Sequence, residues 1–337
     1  MRRIVHDFHG EPGEVLRLDE AAAGDDPAAG QVRIRVLVRP IHPGDLLGII
    51  GQANEPTGGR VPGHEGMGVV DALGNDVGTL AIGQRVAFYP VQGAWGEFVL
   101  ADARFVVPLP DDVEDTAASL MLVNPLTMRM IMRAVFEGGG GQAGVDGPII
   151  QTAAGSSVGK LITSAIRTHD AEVISLVRSE AGALDFAERF PGTPVVSTSD
   201  TDWREVVRKQ VDDRPVRAVV DAVGGELPME LLGLLTPGGS LIEYGSLSGQ
   251  AMTVPTLDLV GREIVVRGVS VGRWAGLPDP VRAADTEFAL ELARSQPELL
   301  EVAAEFDLAD FRQALEHAQR PGRVGTVLLT SREHAGN

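Results

Sequence analysis

The spacing of apolar positions changes character part way along the chain. Over residues 1–120 they come as short runs cut by Gly and Pro: Ile4-Val5, Val32 to Val38, Gly68 to Val70, Gln84 to Tyr89, Trp95 to Leu100 and Phe105 to Val107. Short runs at modest spacing predict a barrel-like all-β unit. Val32-Arg33-Ile34-Arg35-Val36 alternates, which buries one face and wets the other. Asp115 to Met132 turns helical, with Ala118, Met121 and Leu122 as apolar contacts, and Pro125 predicts a bend at Val123 to Thr127. Gly13 to Gly30 is acidic, Ala-rich and poor in chemistry, while Gly138 to Gly147 reads as a flexible connector.

From Pro148 the pattern alternates between strand and helix. Pro148 to Gln151 and Glu172 to Arg178 are β-branched runs flanking a helix whose apolar face is Val158, Leu161, Ile162, Ala165 and Ile166. Helices over Ala181 to Arg189, Trp203 to Val211 and up to Leu235 alternate with strands at Val195-Val196, Val216 to Asp221, Ser240 to Tyr244 and Ile264 to Val269. The fold class is therefore α/β, a doubly wound parallel sheet beside a β-barrel unit. Two more helices, Asp285 to Gln296 and Asp310 to Gln319, precede a strand at Val324 to Leu329. That strand does not fit the parallel sheet and is expected to return to the β unit. Residues 1–122 and 270–337 would then form one discontinuous domain around a dinucleotide-binding domain at 123–269.

The candidate chemistry lies in the turn Ala153-Ala154-Gly155-Ser156-Ser157-Val158-Gly159. Small residues there let backbone approach a pyrophosphate, and the helix behind supplies N–H groups and positive dipole to Ser156, Ser157, Val158 and Gly159. The strict G-x-G-x-x-G spelling is absent, and ending it at Gly159 puts Ala154 and Ser156 at the first two glycine positions. Dinucleotide folds place an acid about 20 residues further on, for the ribose 2′-hydroxyl. Here the second strand ends Val177-Arg178-Ser179. An arginine and a hydroxyl suit a 2′-phosphate, hence NADPH. A solvated arginine capping the strand is the plainer alternative.

Composition narrows the classes. A formal charge of −18 with no basic face argues against nucleic acid. The absence of cysteine removes disulfides, Cys-ligated zinc, iron–sulfur clusters and a thiol nucleophile. No run approaches the ~20 apolar residues of a membrane span, and Met1 to Phe8 lacks a secretory core, so a cytoplasmic protein with no membrane partner is expected.

This order of elements resembles the medium-chain dehydrogenase/reductase superfamily, a GroES-like β domain wrapped around a Rossmann domain. Ile41-His42-Pro43-Gly44-Asp45, Val123-Asn124-Pro125-Leu126-Thr127, Ala153 to Gly159, Gly238-Gly239-Ser240 through Tyr244-Gly245, and Arg262 to Gly268 are similar to segments of its zinc-free quinone oxidoreductase and enoyl thioester reductase branch. The resemblance implies that Asn124, Thr127, Tyr244, Gly245 and the turn at Arg323 border the cofactor, with Gly155 in the phosphate turn, and it implies a homodimer. It also implies hydride transfer from NADPH to an enone, enoyl thioester or quinone.

Two departures matter. The branch's proton-donating tyrosine has no counterpart in Gly51-Gln52-Ala53-Asn54, and His42 stands where the branch has asparagine. His42 is the candidate donor to the substrate oxygen, with orientation of the nicotinamide ribose as its alternative role. Tyr89 is a second candidate donor, or an aromatic pocket wall. Asp45 reads as a helix cap. No metal is assigned, yet Gly63-His64-Glu65-Gly66 reproduces a zinc-branch motif, so a zinc alcohol dehydrogenase using His42, His64 and Glu65 stays open. A non-catalytic NADPH-binding protein is the remaining alternative.

Overall fold

A computed structural model describes residues 1–22, 24–52, 58–137 and 147–331. The connector expected at Gly138 to Gly147 falls outside these except for Gly147, as do Ala53 and Asn54 of the segment lacking the tyrosine. The chain forms two compact units, residues 1–123 with 275–337, and residues 124–274.

The first segment of the first unit runs β1 (Arg2–Val5), α1 (Pro12–Val15), β2 (Arg17–Glu20), β3 (Gln31–Pro40), α2 (Pro43–Ile49), β4 (Gly66–Leu73), β5 (Arg85–Phe88), β6 (Phe98–Asp102), β7 (Val106–Pro108) and α3 (Asp115–Leu120). The alternation in β3 is realised: Val32, Ile34, Val36 and Val38 have no exposed surface, while Arg33 and Arg35 are half-buried. Val32, Ile34 and Val36 pack with Val70, Val86, Phe88 and Val99 into the core of this unit. The stretch Gly13 to Gly30 contains β2, which pairs antiparallel with β1. Its residues are mostly exposed, so no apolar pattern announced it.

The second unit begins with α4 (Val123–Phe136) and continues through β8 (Ile149–Gln151), α5 (Ser157–Thr168), β9 (Val173–Val177), α6 (Glu180–Arg189), β10 (Val195–Ser197), α7 (Trp203–Val211), β11 (Val216–Asp221), α8 (Leu227–Leu232), β12 (Leu235–Glu243), α9 (Thr256–Arg262) and β13 (Val265–Gly268). Its six strands are parallel, in the order β10-β9-β8-β11-β12-β13. All five residues of β9 are buried, as a strand covered on both faces requires. The chain order reverses between β8 and β11, which sets the ligand crevice of such sheets above the ends of those strands.

Pro125 corrects one expectation. The helix is not bent there; it breaks earlier, between α3 and α4, and Pro125 occupies the first turn of α4. Amides of a first turn have no partner within their helix, so a proline costs nothing at that position.

The return segment adds α10 (Asp279–Ser295), β14 (Val302–Asp307), α11 (Phe311–Ala318) and β15 (Thr326–Thr330) to the first unit. The terminal strand β15 pairs antiparallel with β3 and parallel with β14, giving the sheet order β14-β15-β3-β4-β5-β7 with β6 also on β3. Ile4, Leu16, Trp95, Phe311 and Leu329 join both segments in one apolar cluster, which makes this unit discontinuous in sequence.

Candidate active site

In the second unit the turn after β8 has the geometry of a phosphate cradle. Ala153 adopts φ +48°, a left-handed conformation that costs a residue with a Cβ about 1–2 kcal/mol. Ala153 is thus where the tight turn is made, rather than Ala154 or Ser156. Ser156 is the N-cap of α5, its Oγ accepting from the Gly159 N–H at 3.1 Å, and its own N–H bonds the Ala153 carbonyl at 2.9 Å. A Cβ on Gly159 would lie 2.5 Å from the Ala153 carbonyl oxygen, so only glycine lets the helix pack this close. A Cβ on Gly155 would meet nothing nearer than Val177 at 3.8 Å, leaving the lip of the turn open.

The same contact places the end of β9 over the turn. Arg178, next after Val177, is exposed there, and Ser179 caps α6 by accepting from the Gly182 N–H at 3.2 Å. Its hydroxyl proton remains able to donate. Tyr244 follows β12, and its hydroxyl is buried beside Ser156 without completing a hydrogen bond. Burial pushes that phenol well above its ordinary value. An orphaned hydroxyl at a phosphate turn is what a dinucleotide would satisfy, so the residues fit the group that the fold implies. Gly245 lies close to the end of β11, where a Cβ would meet the Ala222 carbonyl oxygen at 2.9 Å. Asn124 and Thr127 are both buried on α4.

One feature of this crevice was not foreseen. Asp221 and Glu243 end adjacent strands in register. Asp221 is fully buried and accepts from the Thr152 hydroxyl and from the N–H groups of Val223 (2.9 Å) and Gly224 (2.6 Å). Burial, and then the Asp221 charge, push the Glu243 carboxyl up to about 8. Two acids at strand ends leave a sequence trace, but pairing them needs the β11–β12 register.

In the first unit His42 and Glu65 meet. His42 is the N-cap of α2, and Asp45, at the third helical position, accepts its N–H at 2.9 Å. The capping position is therefore that of His42, with Asp45 as the residue that reaches back. The His42 Nε2 lies 2.6 Å from Glu65 Oε2, and Glu65 Oε1 accepts from the N–H groups of Leu122 and Val123, both at 2.7 Å. The other oxygen of Asp45 lies 2.9 Å from Nδ1 of the half-exposed His64. Each segment thus gives one imidazole and one carboxylate to the other. Burial alone would lower the His42 imidazole, but the Glu65 hydrogen bond and the charges of Glu65 and Asp45 hold it above its ordinary value.

Tyr89 is buried and joined to Pro90 by a cis peptide bond. Burial and the charges of Glu65 and Asp45 push its phenol well up, which puts it within their field. Arg323 is half-buried, with Nε donating to the Ala318 carbonyl at 3.1 Å and Nη1 buried without a partner. His42, His64 and Glu65 do not make a zinc set. Both Glu65 oxygens and the facing His42 nitrogen are turned on one another or on backbone, and no three such side chains among the described residues are grouped to hold a metal ion.

Two family models match the chain: the alcohol dehydrogenase GroES-like domain over residues 28–111, and the zinc-binding dehydrogenase over residues 157–287. The mitochondrial enoyl-acyl-carrier-protein reductase of Mus musculus is 28% identical over 343 residues, covering 98% of this chain and 88% of the relative. A Bacillus thuringiensis structure, provisionally assigned as an NADPH:quinone reductase, is 26% identical with a TM-score of 0.87, covering 98% of this chain and 99% of that one. Escherichia coli quinone oxidoreductase, solved in complex with NADPH, has the same fold at 22% identity and TM-score 0.87, covering 98% and 100%. No helix among the described residues is long and apolar enough to cross a membrane. With two family models in sequence and full-length likeness on both counts, the chain is an oxidoreductase of the medium-chain dehydrogenase/reductase superfamily and belongs to its zinc-free quinone and enoyl reductase branch.

Proposed function

We propose that this protein is an NADPH-dependent reductase of an activated double bond, in an enoyl thioester or enone, or of a quinone. The observation that carries the reading is His42, a buried imidazole held above its ordinary pKa by two carboxylates. Such a group can neutralise negative charge as it builds on a substrate oxygen near neutral pH. Bound NADPH supplies the hydride. The turn from Gly155 to Gly159, with the dipole of α5, would hold the pyrophosphate, while Arg178 and Ser179 would hold the 2′-phosphate. Asn124, Thr127, Tyr244 and Gly245 would border the nicotinamide half, as the resemblance implies. The protein is expected to work in the cytoplasm as a homodimer, which sedimentation of the purified chain checks.

The test is NADPH consumption by metal-analysed protein, with a short enoyl thioester and a small quinone as separate acceptors. Turnover of either without zinc supports the reading. Silence with both, despite tight NADPH binding, favours a binding protein and sinks it. Arg178→Ala should weaken NADPH by roughly 10- to 100-fold, the worth of a charge-assisted phosphate bond, and leave NADH nearly unchanged. Equal losses on both cofactors would refute the 2′-phosphate assignment.

A further inference from the structure

We propose that Glu243 is a positioning residue of the dinucleotide crevice: while protonated it bridges to Asp221 and holds the turn after β11 and the loop after β12 in the arrangement that takes NADPH. The inference rests on the cofactor reading above and adds a proton on which cofactor binding depends.

Asp221 and Glu243 are the last residues of adjacent parallel strands and lie in register at the crevice end of the sheet. Asp221 receives the Thr152 hydroxyl on one oxygen and the Val223 and Gly224 N–H groups on the other. Those two amides fold the turn after β11, where Gly224 and Gly225 take left-handed φ values of +70° and +68°. The loop after β12 is laid on that turn by two backbone bonds of 2.9 Å, Leu247 N–H to the Ala222 carbonyl and Ser248 N–H to the Val223 carbonyl. Tyr244, next after Glu243, donates its N–H to the Asp221 carbonyl at 2.9 Å, and its unsatisfied hydroxyl lies beside Ser156 at the phosphate turn. Turn, loop and Tyr244 therefore all hang on the junction of the two acids.

That junction needs a proton. Glu243 Oε1 is buried without a donor, and its carboxyl hydrogen-bonds Asp221. Two carboxyls form such a bond only when one of them is protonated. Asp221 already accepts three donors, which favour its charged form, so the proton belongs to Glu243. Burial and then the Asp221 charge push the Glu243 carboxyl up to about 8. Charges on the other elements packed against β12 are engaged elsewhere. Arg262 of α9, with Asp258 beside it, donates to the Leu235 carbonyl at the opposite end of the strand. Glu230 of α8 pairs with Arg204, and the exposed Arg267 of β13 is in register with Ile242. When alkali removes the Glu243 proton, two carboxylates face one another where a hydrogen bond had been. Their repulsion parts the strand ends, and the turn and loop separate with them.

Calorimetric titration of the cofactor-free protein with NADPH tests this. The 2′-phosphate has lost its second proton by about pH 7.5, so NADPH itself does not titrate above it. With only the protonated crevice competent, the competent fraction at pH 9 is about a tenth, and Kd should be roughly tenfold weaker there than at pH 7.5. By linkage, binding at pH 8.5 should take up most of one proton, read from the dependence of the heat on buffer ionisation enthalpy. Glu243→Gln gives Asp221 a permanent N–H, so its Kd should match the native value at pH 7.5, stay there at pH 9 and show no proton uptake. A native Kd that does not change with pH, or an equal change in the variant, overturns the proposal and makes Glu243 a strand-end support only. Absence of NADPH binding at pH 7.5 would sink the cofactor reading and this proposal together, whereas tight binding with a flat profile sinks the proposal alone.

Discussion

Glu65 in the first unit and Asp221 in the second are carboxylates without meaningful exposure, and each is bonded through both oxygens, in part to two backbone N–H groups. Their remaining neighbours differ. Glu65 faces an imidazole, which the carboxylate holds above its ordinary pKa. Asp221 faces Glu243, a second acid, whose carboxyl is pushed up to about 8. In the first cluster the surroundings favour the partner's cationic form; in the second they favour the partner's neutral form. The first arrangement pairs a buried negative charge with a positive one, the second spares Asp221 a like charge beside it, and both depend on a proton that alkaline solution removes.

The largest effects should come from deleting the central acid of either cluster. Glu65→Ala leaves two amides and a buried imidazole without an acceptor, and Asp221→Ala leaves two amides and the Thr152 hydroxyl. Each should cost about 3–5 kcal/mol, a loss of roughly 10 °C in melting temperature by calorimetry at pH 7. If only one variant is destabilised, the two clusters are not equivalent supports and the comparison fails at its base.

His42→Asn should cost less and should depend on pH. The folded pKa of His42 lies above its unfolded value, so its charge-assisted bond contributes fully below about pH 6.5 and fades as pH rises through the folded pKa. Melting curves should show the variant about 2 kcal/mol weaker at pH 6 and closer to the native chain at pH 9. A pH-independent gap would mean that the ring is held neutral in the native protein.

How much of this was legible beforehand follows from the range of the interactions. The helix α7 and the strand β11 fall where apolar period alone put them, because each is a local pattern over a buried face. The phosphate turn was also readable, since its small residues are consecutive in sequence. Ala153 was not, because a left-handed alanine leaves no mark in composition. Strands β2 and β14 are poor in fully buried residues and carry no alternation to detect. His42, His64 and Glu65 were singled out from sequence as a group with metal-binding chemistry. Only the fold shows that His42 pairs with Glu65 while His64 pairs with Asp45, which turns a ligand set into two acid–imidazole pairs.

The smallest effect, and the one that separates the two clusters most cleanly, is at Glu243. Its carboxyl titrates near 8 when folded, against an ordinary value of 4.5. The folded state therefore holds a proton that the unfolded chain has already lost across that window. The contribution is complete below about pH 4.5 and is lost as pH rises through 8. A glutamine at this position offers a permanent N–H to Asp221 and never ionises. Glu243→Gln should match the native protein near pH 5 and exceed it at pH 9. Glu243 is only partly buried, so solvent screening reduces the gain to the order of 1 kcal/mol, a few degrees in melting temperature. The pH trend is the same as for His42→Asn, because both native groups hold a proton that alkali removes, but here the variant gains on the native chain in alkali where His42→Asn loses to it in acid. Parallel melting-temperature profiles for Glu243→Gln and the native chain would show that the two strand-end acids do not share a proton, and the contrast between the clusters would reduce to the imidazole alone.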